Sequence, residues 1–137
     1  MVEEIEIAGV VTLSLDWSCW RDLPHRPKGS RPCSEKGPGV YEIRGHLGES
    51  KECLLLYIGC SDRKDGLRGR TDNHRSSDPD SNDNLVKKEF WKRVKEPEVR
   101  WAVLPDALLA EAALLAKRRV EGPWPEFNCK RRWDVPE

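Results

Sequence analysis

GVYEIRGHLGESKECLLLYIG, residues 39–59, is the stretch that decides the fold. Two runs rich in β-branched, apolar and aromatic residues, Gly39–Arg44 and Cys53–Gly59, flank the polar, glycine-containing connection Gly45–Glu52. Two short strands joined in this way are typical of an antiparallel hairpin. The sequence therefore predicts that the fold is built around a hairpin.

Side chains alternate between the two faces of a strand, which assigns each hairpin residue to a face. In the first strand, Tyr41 and Ile43 share a face. In the second strand alternation gives two apolar sets, which are Cys53, Leu55 and Tyr57 on one face and Leu54, Leu56 and Ile58 on the other. A strand that is apolar on both faces is expected in the centre of its sheet.

The residues after the hairpin predict three helices and one further strand. Leu67–His74 is a short helical segment that places Arg70 and His74, four residues apart, on one face. A polar loop, Ser76–Asn84, separates it from an amphipathic helix over Leu85–Val94. Alternation over Val99–Val103 predicts a third strand. Pro105-Asp106 then opens a helix of high propensity that closes at Gly122.

Two segments precede the hairpin. Residues 5–15 are rich in apolar and β-branched positions and predict one strand. Residues 22–38 contain four prolines and two glycines, a composition that excludes helix and central strand and favours a long surface loop. Residues 1–38 either select substrate or cover a sheet edge, and the covering role is the favoured interpretation.

Length and composition describe one domain with a charged surface. The chain has 137 residues, which suits a single core, and Lys plus Arg equals Asp plus Glu at 24 each. This balance argues against indiscriminate binding of polyanions. No apolar run is long enough to cross a membrane, and the acidic start does not resemble a signal peptide, so we expect a cytoplasmic protein.

The five cysteines predict free thiols. Their number is odd and they form no CxxC pair, which argues against a disulfide framework. Cys19 and Cys33 with His25 between them match no standard metal-site spacing. Thiols beside a surface loop are the favoured interpretation.

Positive charge is concentrated in two places. One basic run spans Lys87 to Lys95, and basic residues at 117–119 and 130–132 form another. Nucleic acid could use these residues locally. Each run on its own is more often a solvated helix face, which is the favoured interpretation.

Glu111 is the only charged residue between Asp106 and Lys117, in a helix of alanine and leucine. On the helical wheel it neighbours Leu108 and Leu115, where an ionised carboxylate is costly unless a cation or a donor holds it. A metal ion or an arginine would meet this need. The alternative is that Glu111 lies at the margin of the core and reaches water or pairs with Arg118.

Several motifs in a fixed order resemble the GIY-YIG nuclease family. They are Gly39-Val40-Tyr41, Tyr57-Ile58-Gly59, Gly66-Leu67-Arg68-Gly69-Arg70 with His74 following, Glu111 in a Leu/Ala-rich helix, and Pro125-Glu126-Phe127-Asn128. The resemblance covers residues 39–128. It is specific in combination, whereas each motif alone is common.

The resemblance implies an α/β (α+β) fold, a small three-stranded antiparallel sheet flanked by helices. Here it would carry an extra N-terminal strand and loop, with residues 1–38 as an extension packed on the nuclease domain of residues 39–137. The implied catalytic residues are Tyr41, Tyr57, Arg70, His74, Glu111 and Asn128. The implied substrate-binding residues are Gly59, Arg68, Lys87, Lys88 and Arg118.

The implied activity is hydrolysis of phosphodiester bonds in branched or duplex DNA, with one Mg²⁺ or Mn²⁺ ion held by Glu111. Magnesium keeps much of its water, which suits such sparse ligation. Tyr41 or Tyr57 would act on the base side, His74 would aid proton transfer or hold phosphate, and Asn128 would buttress the site. A homodimer or a partner protein is compatible with the chain's size.

The sequence departs from the family pattern where Cys60 follows the second tripeptide. Many relatives carry a lysine or another polar residue there, so proton transfer by a lysine is in doubt. The second hypothesis for function is a catalytically silent nucleic-acid-binding or interaction module on the same fold. The charged residue types of the site favour the enzyme, since a binding module does not need an acid that faces phosphate.

Overall fold

The structure is a computed structural model that describes residues 1–7, 9, 11–25, 29–62, 66–75 and 84–128, except for the side chains of 84–88. The predicted loop over Ser76–Asn84 lies almost wholly outside these residues. The fold is mixed α+β, and its elements follow in the order β1 (Val2–Ile7), β2 (Val11–Asp16), β3 (Arg21–Asp22), β4 (Gly39–Leu47), β5 (Leu54–Ser61), α1 (Gly66–Asn73), α2 (Asn84–Arg93), β6 (Val94–Val103) and α3 (Ala107–Glu121).

The main sheet is antiparallel and has the order β3-β6-β4-β5. The predicted hairpin is confirmed as β4 and β5, and the predicted third strand as β6, which begins at Val94 rather than Val99. The prediction of a central second strand was wrong, because β4 lies between β6 and β5. β5 is apolar on both sides because each face of the sheet is covered by packed elements.

A β-bulge changes the direction of the side chains along β5. Ile43 pairs with Tyr57 and Arg44 pairs with Leu55, so Leu56 is an extra residue in the ladder. Such an insertion breaks strict alternation. The prediction that Tyr57 shares a face with Leu55 was therefore wrong, and Tyr57 lies with Leu56 instead.

Two apolar cores lie on the two faces of the main sheet. Leu67 of α1 and Phe90 of α2 pack with Tyr41 and Ile43 on one face. The other core combines β1 and β2, the sheet and α3, through Ile5, Leu15, Trp17, Val40, Ile58, Ala110, Leu114 and Leu115. The sheet therefore lies between α1 and α2 on one side and α3 with β1 and β2 on the other.

The N-terminal segment forms a hairpin, not the single strand predicted over residues 5–15. β1 and β2 pair in antiparallel register, with Ile7 opposite Val11. Gly9 between them has φ +68°, a conformation that glycine adopts without the steric cost of a Cβ atom. The turn at this glycine divides the apolar run into two strands.

The segment after this hairpin covers the outer edge of β6. Arg21 of β3 pairs with Val99, and Leu23 and Cys33 are buried against the same core as Tyr41. The covering interpretation of residues 1–38 agrees with this placement.

The three predicted helices are present within one residue of their expected ends, apart from the first residues of α3. In α3 the buried face contains Ala107, Ala110, Leu114 and Leu115. Leu108, which helical-wheel reasoning assigned to the apolar stripe, is 60% exposed. Among the described residues, no helix has the length and apolar character that a membrane crossing requires.

Candidate active site

A cleft of about 550 Å³ opens where the end of β5, helix α1 and the start of α3 meet. Three of the predicted catalytic side chains, Tyr57, Arg70 and Glu111, line it. The full lining within the described residues is Tyr57, Cys60, Ser61, Asp62, Gly66, Gly69, Arg70, Asn73, Leu108 and Glu111. Each of the three elements thus contributes a different chemical group to one space.

Tyr41 lies behind the cleft and not in its lining. Its side chain is fully buried, and its hydroxyl lies 2.6 Å from Nε2 of His74. Arg70 donates a hydrogen bond to the same hydroxyl oxygen. Two side chains, Arg70 and His74, therefore hold the phenol oxygen of Tyr41.

Burial raises the pKa of Tyr41 well above its ordinary value of 10, with a further increase from Tyr57, and Arg70 only partly opposes this change. The phenol keeps its proton at neutral pH. A buried phenol that keeps its proton is poorly suited to accept a proton from water. Of the two tyrosines expected on the base side of the reaction, Tyr57 is therefore the better candidate.

Tyr57 is half-buried and reaches the cleft. Its ring centroid lies 6.0 Å from that of Tyr41 and 4.9 Å from that of His74. Because Gly59 pairs with Tyr41 and Tyr57 pairs with Ile43, Tyr57 lies on the face of the sheet that Tyr41 and Ile43 occupy. The two tyrosines and the histidine form one aromatic group beside the cleft.

Helix α1, which carries Arg70, is fixed at its start by the loop before β4. The amide of Leu67 donates to the carbonyl of Gly37 at 3.1 Å, and that of Arg68 donates to Glu35 at 2.7 Å. A Cβ atom on Gly66 would collide with the carbonyl oxygens of Lys36 and Gly37, so only glycine allows this close approach. The first turn of α1 is therefore positioned by residues outside the family resemblance.

The end of α1 is held by a buried arginine. Arg75 donates to the carbonyls of Pro24 and Gly29 at 3.0 and 3.1 Å, and pairs with Asp72 at 3.0 Å. Arg31 approaches the other carboxylate oxygen of Asp72 at 3.4 Å. These contacts join Pro24, Gly29 and Arg31 to the helix that carries Arg70.

His74 is positioned through its backbone as well as its ring. The indole Nε1 of Trp91 donates to the His74 carbonyl at 3.0 Å, and the ring of Trp91 stacks on His25 at 4.3 Å between centroids. His25, considered in the sequence as a metal ligand beside Cys19 and Cys33, thus lies in an aromatic stack.

Glu111 is half-buried and lines the cleft from α3. Ala107, Ala110 and Leu114 face the core, which turns Glu111 toward the end of β5. The thiol of Cys60 donates a hydrogen bond to Glu111. Burial, together with the Glu111 charge and this bond, raises the pKa of Cys60 to about 12, so the thiol keeps its proton.

The carboxylates that line the cleft, Glu111 and Asp62, can bind a divalent ion only if that ion needs few protein ligands. Within the described residues, no group of three or more His, Cys, Asp or Glu side chains could hold a metal ion. Glu111 and the exposed Asp62 line the same cleft. Mg²⁺ is commonly bound by one or two carboxylates, with water and substrate phosphate as the other ligands, which these residues allow.

Asn128 braces the free edge of β5. Its Oδ1 accepts from the Ile58 amide and its Nδ2 donates to the Ile58 carbonyl, both at 2.9 Å. Phe127 donates its amide to Leu56 at 2.9 Å. Asn128 supports the strand that carries Tyr57 without lining the cleft.

The predicted substrate-binding residues lie apart from the cleft or outside the described part of the chain. Gly59 is buried opposite Tyr41, and Arg68 is half-buried in α1. Burial raises the pKa of Glu42, and the charge of Arg118, like that of Arg100, partly opposes this rise. The side chains of Lys87 and Lys88 lie outside the described residues, as do Cys129 and the basic residues 130–132.

Seven of the ten lining residues were not predicted as site residues, and these are Cys60, Ser61, Asp62, Gly66, Gly69, Asn73 and Leu108. Ser61 and Asn73 adjoin motif residues, but their side-chain direction depends on packing. Cys60 was noticed only as a departure from the family pattern. A thiol placed one residue after the second tripeptide, at the edge of a strand, was the available signal.

Comparison of the chain with protein-family models, with curated proteins and with solved structures found no match.

Proposed function

We propose that this chain is a metal-dependent endonuclease of the GIY-YIG type that hydrolyses phosphodiester bonds in DNA. The observation that supports this most strongly is the meeting of Tyr57, Arg70 and Glu111 in one cleft, from a strand and two helices. Tyr41 and His74 support them from behind. A hydroxyl, a guanidinium and a carboxylate that holds a metal ion can supply the proton transfer and the charge neutralisation that phosphodiester hydrolysis needs.

The phosphate would be bound between the two helical walls of the cleft. A phosphodiester is an anion, and attack on it requires neutralisation of its charge. Arg70 on α1 provides one fixed positive charge. Glu111, with Asp62 at the rim, would hold a divalent ion on the other wall, and such an ion neutralises phosphate charge and lowers the pKa of bound water.

We assign Tyr57 as the tyrosine that helps to remove a proton from the attacking water. It is the one whose side chain reaches the cleft, whereas Tyr41 is buried and keeps its proton. Tyr41 instead fixes Arg70 through the hydrogen bond that it accepts. His74 contacts the Tyr41 hydroxyl and is not part of the cleft lining, so we assign it the role of holding the phenol and not of binding phosphate directly.

The test is Glu111→Gln, which keeps the shape of the side chain and removes its charge. The matched control is Glu121→Gln, an exposed carboxylate on the same helix. Purified wild type and both variants are incubated with branched, duplex and single-stranded DNA in Mg²⁺ or Mn²⁺. Thermal unfolding is measured on the same samples.

We expect the wild type and Glu121→Gln to cut DNA. We expect Glu111→Gln to lose cutting while its free energy of unfolding stays within about 1 kcal/mol of the wild-type value. Full cutting by Glu111→Gln would refute the role of Glu111. DNA binding without cutting by the wild type in either metal would favour the silent binding module.

A further inference from the structure

Cys60 and Glu111 approach each other from opposite supports of the cleft. Cys60 is half-buried on β5, and its neighbour in the ladder is the buried Val40. Glu111 projects from α3, directly after the buried Ala110 and one turn before the buried Leu114. Both side chains line the cleft, and the thiol donates a hydrogen bond to the carboxylate.

We propose that Cys60 is a positioning residue that holds the Glu111 carboxylate and thereby sets the affinity of the cleft for a hard divalent cation. This inference rests on the proposed function, because it assigns a partner to the carboxylate that would bind the ion. It adds a residue that the family resemblance did not supply.

The physical argument begins with the freedom of a glutamate side chain. Fixing a Glu side chain in one rotamer costs conformational entropy. A cation that binds a freely rotating carboxylate meets that cost itself. A hydrogen bond formed before the ion arrives means that the side chain is already ordered, so less is lost on binding.

The rigidity of the two supports makes such a hydrogen bond effective. β5 is paired with β4 on one side and braced by Asn128 on the other. Ala110 and Leu114 of α3 belong to the same apolar core as Val40 and Ile58. The distance between the Cys60 and Glu111 backbones is therefore set by core packing and not by a mobile loop.

A thiol suits this position because it donates without competing for the cation. An ionised carboxylate has about four lone-pair sites, and a single S–H donor uses one of them. A lysine at position 60 would instead place a positive charge against the carboxylate and oppose a metal ion. Partners that orient a ligating carboxylate change metal affinity by roughly 10–100-fold when they are mutated.

The experiment measures Mn²⁺ binding directly, by titration of the full chain without DNA. The variants are Cys60→Ala, Cys60→Ser and Glu111→Gln, with Cys53→Ala as the control because Cys53 is an exposed free thiol just before β5. We expect Cys60→Ala to weaken Mn²⁺ binding by about 10–100-fold. Cys60→Ser, whose hydroxyl can donate to the same carboxylate, should bind more tightly than Cys60→Ala, and Cys53→Ala should match the wild type.

A second readout follows the hydrogen bond itself. The S–H stretching band of Cys60, identified in the infrared difference between the wild type and Cys60→Ser, should shift in Glu111→Gln because the charged acceptor is lost. A band that does not move overturns the inference, as does Cys60→Ala that binds Mn²⁺ like the wild type.

Failure of the proposed function gives a different pattern. If the wild type and Glu111→Gln bind Mn²⁺ equally, Glu111 is not a metal ligand, and the affinity role of Cys60 falls with it whatever the band does. If Glu111→Gln alone loses Mn²⁺, the metal role of Glu111 stands and only the role of Cys60 is refuted. Thermal unfolding of each variant verifies that these comparisons are made on folded protein.

Discussion

Replacing Gly59 by alanine adds one methyl group directly against the ring of Tyr41. Gly59 pairs with Tyr41 across the hairpin, and a Cβ atom built at Gly59 would collide with Oη and Cζ of that ring and lie 2.9 Å from its Cε1. Real Cβ atoms do not approach other carbons so closely. Tyr41 is fully buried and its hydroxyl is bonded to His74, so the ring has little room to withdraw.

The expected cost follows from two opposing effects. Overpacking a tight interior costs typically about 1–3 kcal/mol. Alanine in place of glycine within a strand recovers roughly 0.5–1 kcal/mol of backbone entropy. We therefore expect Gly59→Ala to lower the free energy of unfolding by about 1–2 kcal/mol, with further loss if the bond between Tyr41 and His74 breaks.

Urea unfolding measures this cost, and a second variant tests its origin. Tyr41→Phe removes Oη, one of the atoms that the new methyl group meets. The cost of Gly59→Ala should therefore be smaller in the Tyr41→Phe background than in the wild type. An unchanged urea midpoint for Gly59→Ala, or the same cost in both backgrounds, would refute the packing of Tyr41 over Gly59.

Three further predictions concern ionic groups. Arg75→Ala leaves Asp72 buried without its main partner and should lower the free energy of unfolding in urea by about 3–5 kcal/mol. Arg31→Ala, at the exposed side of the same carboxylate, should lower it by at most about 1 kcal/mol. Equal losses would contradict the role of Arg75 in holding the end of α1. Burial raises the folded-state pKa of Glu42 above its ordinary value of 4.5, although Arg100 opposes this rise. The contribution of Glu42 to the free energy of unfolding is therefore fully present below the unfolded-state pKa and is lost as pH rises through the folded-state pKa. Glu42→Gln should abolish that component of the fall in unfolding free energy above pH 4.5, and an identical slope in both proteins would count against it. Binding of DNA should weaken steeply with added salt through counterion release, and a salt-independent affinity would remove DNA as the partner.

The order and type of the elements after residue 38 could be predicted because each depends on local sequence. The hairpin is set by two apolar runs around a polar connection, and α3 by a long stretch of alanine and leucine. The end of α3 at Gly122 was also predictable, since the φ of +49° there favours glycine. These features do not depend on which distant residues lie nearby.

Which residues of β5 share a face with Tyr57 could not be predicted, because this depends on the register between two strands. Alternation within β5 groups Tyr57 with Leu55, which is wrong because Leu56 is an extra residue in the ladder, and a bulge has no signature in the strand's own sequence here. The burial of Tyr41 has a similar cause, since it requires a residue without a side chain at Gly59 opposite. The motifs identified the candidate site residues. The strand pairings decide which of them are buried, like Tyr41, and which reach the cleft, like Tyr57.

The contacts of the first 38 residues were beyond sequence reasoning for the same reason. Arg75 follows the predicted helix directly, yet its partners Pro24 and Gly29 are 51 and 46 residues away in the chain. Likewise the turn at Gly9 was overlooked within an apolar run. Composition predicts a loop and a strand in this part of the chain. It does not predict which distant residues, such as Arg75, they contact.

The N-terminal hairpin has a consequence for how the protein opens. Trp17 and Leu15 share a core with α3, and Glu3 links Trp17 at 2.8 Å to Lys117 of that helix at 3.2 Å. Partial unfolding usually releases contiguous packed units together. Fraying of the first sixteen residues would therefore loosen the inner side of the helix that carries Glu111 while β4, β5 and β6 remain paired, and backbone amides of β1, β2 and α3 should exchange with solvent as one unit. The geometry of the cleft is thus tied to the chain's first residues, more than a hundred positions before the carboxylate they help to hold.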